Sequence, residues 1–161
     1  MHIKITSKPF SLSFKKNIFV NGEKLYGVES GNIVGDYCLK LIDLESGFVK
    51  TLIVSETSFL SDSYNIRLLN EENLPIVFNR SERWKHNYNC VYNGNKYCIK
   101  EVKKIYIILK NDIQIATWVK GEHFSFTEED NFKILDSCTE LEFIFSMCLI
   151  IHLKELNKRS P

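Results

Sequence analysis

Apolar and polar residues alternate in short runs along most of this chain, and polar turns separate the runs. The expected strands are Phe10–Phe14, Asn17–Val20, Leu25–Glu29, Tyr37–Asp43, Phe48–Val54, Tyr64–Leu69, Leu74–Asn79, Tyr88–Tyr92, Lys96–Val102, Lys104–Lys110, Ile113–Lys120 and Asn131–Asp136. Val, Ile, Phe, Tyr and Thr dominate them, as a pleated, half-buried surface favours. The gaps carry Asn21-Gly22-Glu23-Lys24, Glu45-Ser46-Gly47, Asn93-Gly94-Asn95 and Asn111-Asp112. Asn and Gly tolerate the positive φ of hairpin turns. About a dozen short strands in sequence imply an antiparallel meander, which must close into a barrel or split into a sandwich.

A slower rhythm overlies the strands. An aromatic residue, a few polar residues and a new strand recur at Phe10, Phe59, Trp84 and Phe124, with gaps of 49, 25 and 40 residues. Units of 20–25 residues would give about six hairpins, with two corners missing near Ile33 and Ile105.

One segment breaks the alternation. Leu141–Leu153 reads LEFIFSMCLIIHL, with ten of thirteen residues apolar. Thr139 and Glu142 fit a capping box, and Lys154, Lys158 and Arg159 suit the negative end of the dipole. A helix over about residues 139–157 is expected. At about 100° per residue, no apolar-free sector wider than about 60° remains around its axis. A helix on a barrel's exterior would have a wet face. This one calls for burial on every side. At about 1.5 Å per residue the apolar run spans about 20 Å, short of a bilayer core of ~30 Å, so no transmembrane segment is expected. The pattern therefore predicts a mostly β fold, a closed antiparallel barrel of about twelve strands around a buried hydrophobic C-terminal helix.

Length and composition agree with one domain spanning residues 1–161. The chain has 161 residues, 44% hydrophobic and 25% charged, with a formal charge of +1. No global field draws it to nucleic acid, and no nucleic-acid partner is expected. Glycine is scarce and alanine occurs only at Ala116. Five cysteines, Cys38, Cys90, Cys98, Cys138 and Cys148, form no CxxC pair, so no zinc or redox motif is expected. Cys90 and Cys98 could meet across the turn at Asn93-Gly94-Asn95, or be two buried thiols. The first twenty residues carry four lysines and no apolar run of signal-peptide length, which points to the cytoplasm.

Catalytic chemistry finds little support. His2, His86, His123 and His152 show no metal spacing, and no GxSxG, Walker loop, HExxH or GxGxxG occurs. An enzyme would need His86, His123 and a carboxylate to converge. The acidic pairs at Glu71-Glu72 and Glu128-Glu129-Asp130 suit solvated turns. No enzyme activity, metal or cofactor is expected. The strongest binding cluster is Arg80-Ser81-Glu82-Arg83-Trp84-Lys85-His86, where cations and an indole share one connection. Such groups suit a phosphate at a lipid interface. Lys100, Lys103 and Lys104 could add charge, as could Lys15 and Lys16. Arg80, Arg83, Trp84, Lys85, Lys103 and Lys104 are thus the candidate ligand-binding residues. A solvated rim accounts for the same cluster without a ligand.

The strand–turn–strand units IFVNGEKLYGVE and CVYNGNKYCIKEV, Phe10-Ser11-Leu12, the late HFSFTEEDNFKIL element and the final LEFIFSMCLIIHL together resemble the tubby C-terminal-like superfamily. The resemblance runs over about residues 10–156 and is nearest to its LURP-one-related and phospholipid-scramblase-like branch. It implies a twelve-stranded barrel around a central helix and a non-enzymatic binding role. The partner would be an anionic phospholipid headgroup, a membrane surface or a membrane-associated protein. The chain has no match to the phosphoinositide site of tubby proteins, no acidic calcium loop and no palmitoylation cluster. The alternative is a soluble interaction or scaffold domain with no small-molecule ligand.

Overall fold

In a computed structural model, the described residues are 1–7, 15–33, 36–58, 61–69, 75–81, 87–103, 105–119, 129–135 and 140–159. They form twelve strands and one helix: β1 His2–Ser7, β2 Lys15–Val20, β3 Glu23–Ile33, β4 Asp36–Asp43, β5 Val49–Ser58, β6 Ser61–Leu68, β7 Ile76–Arg80, β8 Tyr88–Tyr92, β9 Asn95–Val102, β10 Ile105–Lys110, β11 Ile113–Val119, β12 Glu129–Ile134 and α1 Leu141–Arg159. Every strand pairs antiparallel with its sequence neighbours, and β1 pairs with β12 to close the barrel. Closure removes the unpaired edges that an open sheet of this size would expose.

The first strand departs from the sequence expectation. It lies at His2–Ser7, whereas Phe10–Phe14 falls outside the described residues. The signal is plain in HIKITS: Ile3 and Ile5 are fully buried, and His2, Lys4 and Thr6 alternate with them. Phe48, expected in a strand, is 72% exposed in the connection before β5.

The tight turns are two-residue ones. Asn21 and Gly22 have φ of 50° and 91°, Asn93 and Gly94 47° and 70°, Asn111 and Asp112 51° and 65°. Positive φ at both central positions matches the strand twist, and Asn, Asp and Gly adopt it at little cost. Two of these asparagines also tie their turn to a neighbouring strand. The Asn21 Oδ1 accepts from the His2 N–H at 3.0 Å, and the Asn111 Oδ1 accepts from the Lys96 N–H at 2.9 Å.

The two-residue loop at Asn93-Gly94 also decides the cysteine question. Cys90 pairs with Tyr97, so Cys98 points to the opposite face of the sheet. Cys90 and Cys98 do not face each other, and both are free thiols.

The interior is filled from both sides. Strand side chains at Ile18, Leu39, Leu41, Ile53, Ile66, Phe78, Tyr97, Ile99, Ile108, Trp118 and Phe132 are all at most 1% exposed. Trp118 stacks between Tyr106 and Phe132, at centroid distances of 4.5 and 5.2 Å. On the helix, every residue from Phe143 to Ile150 is at most 1% exposed. Eight consecutive residues cover more than two turns, so no side of this stretch meets water. Phe145 meets Tyr26 of β3 edge-on at 5.6 Å, while Phe143 meets Tyr92 of β8 and Tyr97 of β9 at 4.4 and 4.9 Å. The helix also packs on β4, β5 and β6. Contacts on such widely separated strands place α1 inside the barrel, as its apolar circumference predicts.

Candidate functional site

The meander gives the barrel two unlike ends. One rim carries the Asn21-Gly22, Asn93-Gly94 and Asn111-Asp112 turns, the N-terminus and the entry of α1. The other carries the six connections β1–β2, β3–β4, β5–β6, β7–β8, β9–β10 and β11–β12. The four aromatic corners of the sequence fall in or beside four of these connections. The two expected gaps near Ile33 and Ile105 coincide with the β3–β4 and β9–β10 connections. At about 1.5 Å per residue the 19 residues of α1 span about 28 Å, enough to traverse the barrel and end at the second rim. Lys154, Lys158 and Arg159 belong to those last turns.

The candidate residues belong to this second rim. Arg80 ends β7, and its strand alternates with Ile76 and Phe78 buried, so Arg80 shares their inward-facing side. Lys103 occupies the β9–β10 turn with φ 50° and is exposed. Arg83, Trp84, Lys85, His86 and Lys104 lie outside the described residues, as do His123 and Cys138. Arg80 is level with Tyr88 and Ile99 across the ladder, and Lys103 lies four residues beyond Ile99. Two strand spacings and four residues put the pair about 16 Å apart along the wall. One phosphate is not gripped directly by both backbone positions at that separation. Arg80 and Lys103 share a rim, and they do not line one pocket.

The other expected cations divide. Lys100 is exposed on the outer face of β9. Lys15 pairs with Glu29 at 3.3 Å on the exterior. Lys16, expected to add surface charge, is only 3% exposed and alternates with buried Ile18 and Val20. It faces the interior because the period of two that buries Ile18 also turns position 16 inward.

Two features of the rim were not foreseen from the sequence. The first is a clasp below the Arg80 connection. The Asn87 carbonyl accepts from the Ser81 N–H at 2.8 Å and from the Ser81 hydroxyl at 3.1 Å. The Asn87 Oδ1 accepts from the Glu101 N–H at 2.9 Å. Asn87 is 7% exposed, so these bonds anchor the connection's base to β9 away from water. The second is an apolar row on the outer wall. Val102 of β9 stands opposite Ile105 of β10, which stands opposite Val119 of β11. They are 47, 39 and 48% exposed. Lys103 directly follows Val102, and Lys100 lies two residues before it. Only the register across three strands shows that these apolar residues adjoin.

The opposite mouth holds the strongest polar cluster. Just before α1, the Glu140 carboxylate accepts from the Lys110 Nζ at 2.7 Å and from the Tyr97 hydroxyl at 3.1 Å. Burial works to raise the Glu140 carboxyl's pKa. The hydrogen bonds from Lys110 and Tyr97, and the Lys110 charge, outweigh that and hold it below the ordinary range. Lys110 is raised by its bonds to Glu140 and Tyr97. On the other side of the mouth, burial pushes the Tyr26 phenol up to about 12, helped by the negative charges of Glu142 and Asp43 and by the hydrogen bond that the phenol donates to Glu142. Glu142 thus serves Tyr26; its expected capping partner Thr139 lies outside the described residues. Two carboxylates, each set against a tyrosine of a different strand, moor the start of the helix. With the acid already bonded to a lysine and a phenol, this cluster is an anchor for α1.

The fold defines a closed twelve-stranded barrel around its own C-terminal helix, with Arg80 and Lys103 on one rim and the apolar row Val102–Ile105–Val119 on the wall beside it. Comparison of the chain with known protein families, curated proteins and solved structures found no match.

Proposed function

We propose that this chain is a non-enzymatic binding module of the tubby C-terminal-like class, working in the cytoplasm, whose rim at the β9–β10 turn docks on anionic phospholipid membranes. The plan of twelve strands around a C-terminal helix supports the class. The observation that carries the docking surface is the aligned row Val102–Ile105–Val119 bordered by Lys100 and Lys103. Half-exposed apolar side chains beside cations suit a surface that is greasy below and negative above. The row exposes on the order of 200 Å² of apolar area, which sets an upper bound of about 5 kcal/mol for its transfer. Each nearby cation adds about 1 kcal/mol at an anionic leaflet. Such a sum gives reversible, salt-sensitive association.

Sedimentation with vesicles tests this reading. Binding is expected to phosphatidylserine-containing vesicles and to fall as salt rises, with little binding to phosphatidylcholine alone. Ile105→Asp and Lys103→Glu should each weaken it. Equal binding to neutral vesicles, or none to anionic ones, overturns it. A second reading, an interaction domain with no small ligand, is supported by the opposite rim, where Phe48 is 72%, Leu44 43% and Leu69 49% exposed. It predicts self-association in light scattering that Phe48→Ser abolishes.

A further inference from the structure

The sequence holds two Asn-Gly pairs, Asn21-Gly22 and Asn93-Gly94, and both form exposed positive-φ turns on the rim where α1 enters. Their surroundings differ. The Asn21 N–H donates to the His2 carbonyl at 2.8 Å, and the Asn21 Oδ1 accepts from the His2 N–H at 3.0 Å, so two bonds pin this residue to β1. Asn111, in the third turn of the same shape, is held likewise. Its Oδ1 accepts from the Lys96 N–H at 2.9 Å, and its Nδ2 donates to the Asn95 Oδ1 at 2.8 Å. Among the described residues, the Asn93 carboxamide and the Gly94 N–H make no hydrogen bond. Outside the hairpin ladder Asn93 is held only through its carbonyl, which accepts from the Asn95 Nδ2 at 3.0 Å. Nothing lies within 4 Å of where a Cβ on Gly94 would stand, so no side chain blocks the approach to its nitrogen.

From this contrast we infer that Asn93 is a site of spontaneous deamidation, and that its iso-aspartate product loosens the grip of Tyr92 on α1. The Gly94 nitrogen, giving its proton to solvent base, attacks the Asn93 Cγ. A C–N bond forms, the Cγ–Nδ2 bond breaks, and the leaving group takes up a proton and departs as ammonia, which leaves a cyclic imide. Water then opens the imide. Opening at the side-chain carbonyl gives aspartate, and opening at the main-chain carbonyl gives iso-aspartate, whose backbone runs through Cβ. One water is consumed and one ammonia released, with no oxidation. Glycine suits the attacking position because no Cβ crowds its nitrogen. The attack needs the turn to leave its positive-φ shape for a moment. At Asn21 that motion breaks both bonds to His2; at Asn93 there are none to break. Tyr92 directly precedes the turn, pairs with Asn95 across it, and lies 4.4 Å from the Phe143 ring. Iso-aspartate lengthens the backbone of a two-residue loop whose length fixes the register, so it shifts Tyr92 against the helix. Conversion also takes the formal charge from +1 to zero. The site lies on the rim away from the β9–β10 turn, and its success or failure leaves the docking reading untouched.

Incubation of the whole chain at mildly alkaline pH tests it, followed by peptide mass spectrometry with fragmentation that tells aspartate from iso-aspartate. A synthetic peptide of residues 88–98 is the unstructured reference. Both products are expected at Asn93, with Asn21 converting about tenfold or more slowly. The iso-aspartate form, separated by ion exchange, should melt below the parent chain. Asn93→Asp keeps the backbone length and takes positive φ readily, so it should melt with the parent. The inference is overturned if Asn93 shows no product once the peptide has converted fully, or if Asn21 converts as fast as Asn93. It is overturned too if aspartate forms without iso-aspartate, the mark of direct hydrolysis, or if the iso-aspartate form melts with the parent.

Discussion

If α1 is sheathed on every side, truncating its side chains should cost stability in whatever direction they point. Ile144, Phe145 and Ile150 make the test, since at about 100° per residue they point roughly 100° to 140° apart around the axis. All three are fully buried. Ile144→Ala and Ile150→Ala each remove three carbons from a packed interior and should cost about 2–5 kcal/mol. Phe145→Ala removes a ring that meets Tyr26 edge-on at 5.6 Å, and should cost about 3–5 kcal/mol. The spread depends on how far the wall can relax around each cavity, and a closed barrel relaxes little. Urea titration followed by tryptophan fluorescence reports the change, with Trp118 fully buried in the same core. A helix lying on the outer wall would show one costly side and one tolerant side. Should any of the three substitutions cost less than about 0.5 kcal/mol, as exposed positions do, the sheathed helix is wrong.

Glu140 has its pKa lowered in the folded state, so its contribution is present above the unfolded carboxyl range and lost as pH falls through the folded value; Glu140→Gln should cost about 1 kcal/mol at neutral pH and flatten the acid side of a stability–pH curve, measured by urea midpoints. Thr51 is fully buried and its Oγ1 has no hydrogen-bond partner among the described residues, so Thr51→Val should leave the melting temperature unchanged or raise it; a large drop would mean the hydroxyl is bonded. Burial pushes the Cys90 thiol up to about 12, so in a timed thiol-labelling experiment read by mass spectrometry Cys90 should stay unmodified until unfolding, while the partly exposed Cys98 labels before it.

The amino-acid order alone determined the architecture. Alternation placed eleven of the twelve strands, the Asn-Gly and Asn-Asp pairs placed the turns, and the all-round apolar run at Leu141–Leu153 placed a helix within them. These are local signals: each rests on side-chain period or turn chemistry within a dozen residues. The strand that was missed, His2–Ser7, carried the same alternation in only two isoleucines. What the tertiary structure alone decided is which residues adjoin. Val102, Ile105 and Val119 form one row, and Lys4, Phe19 and Lys24 another, because barrel register brings separate strands together. Lys16 went inward and Lys103 outward although both look like surface cations in the sequence. Glu140 found Lys110 and Tyr97, 30 and 43 residues away, through the entry of the helix. Local pattern sets which side of its own strand a residue takes. Ladder pairing and closure set its neighbours on the next strand, and no short stretch of chain encodes them.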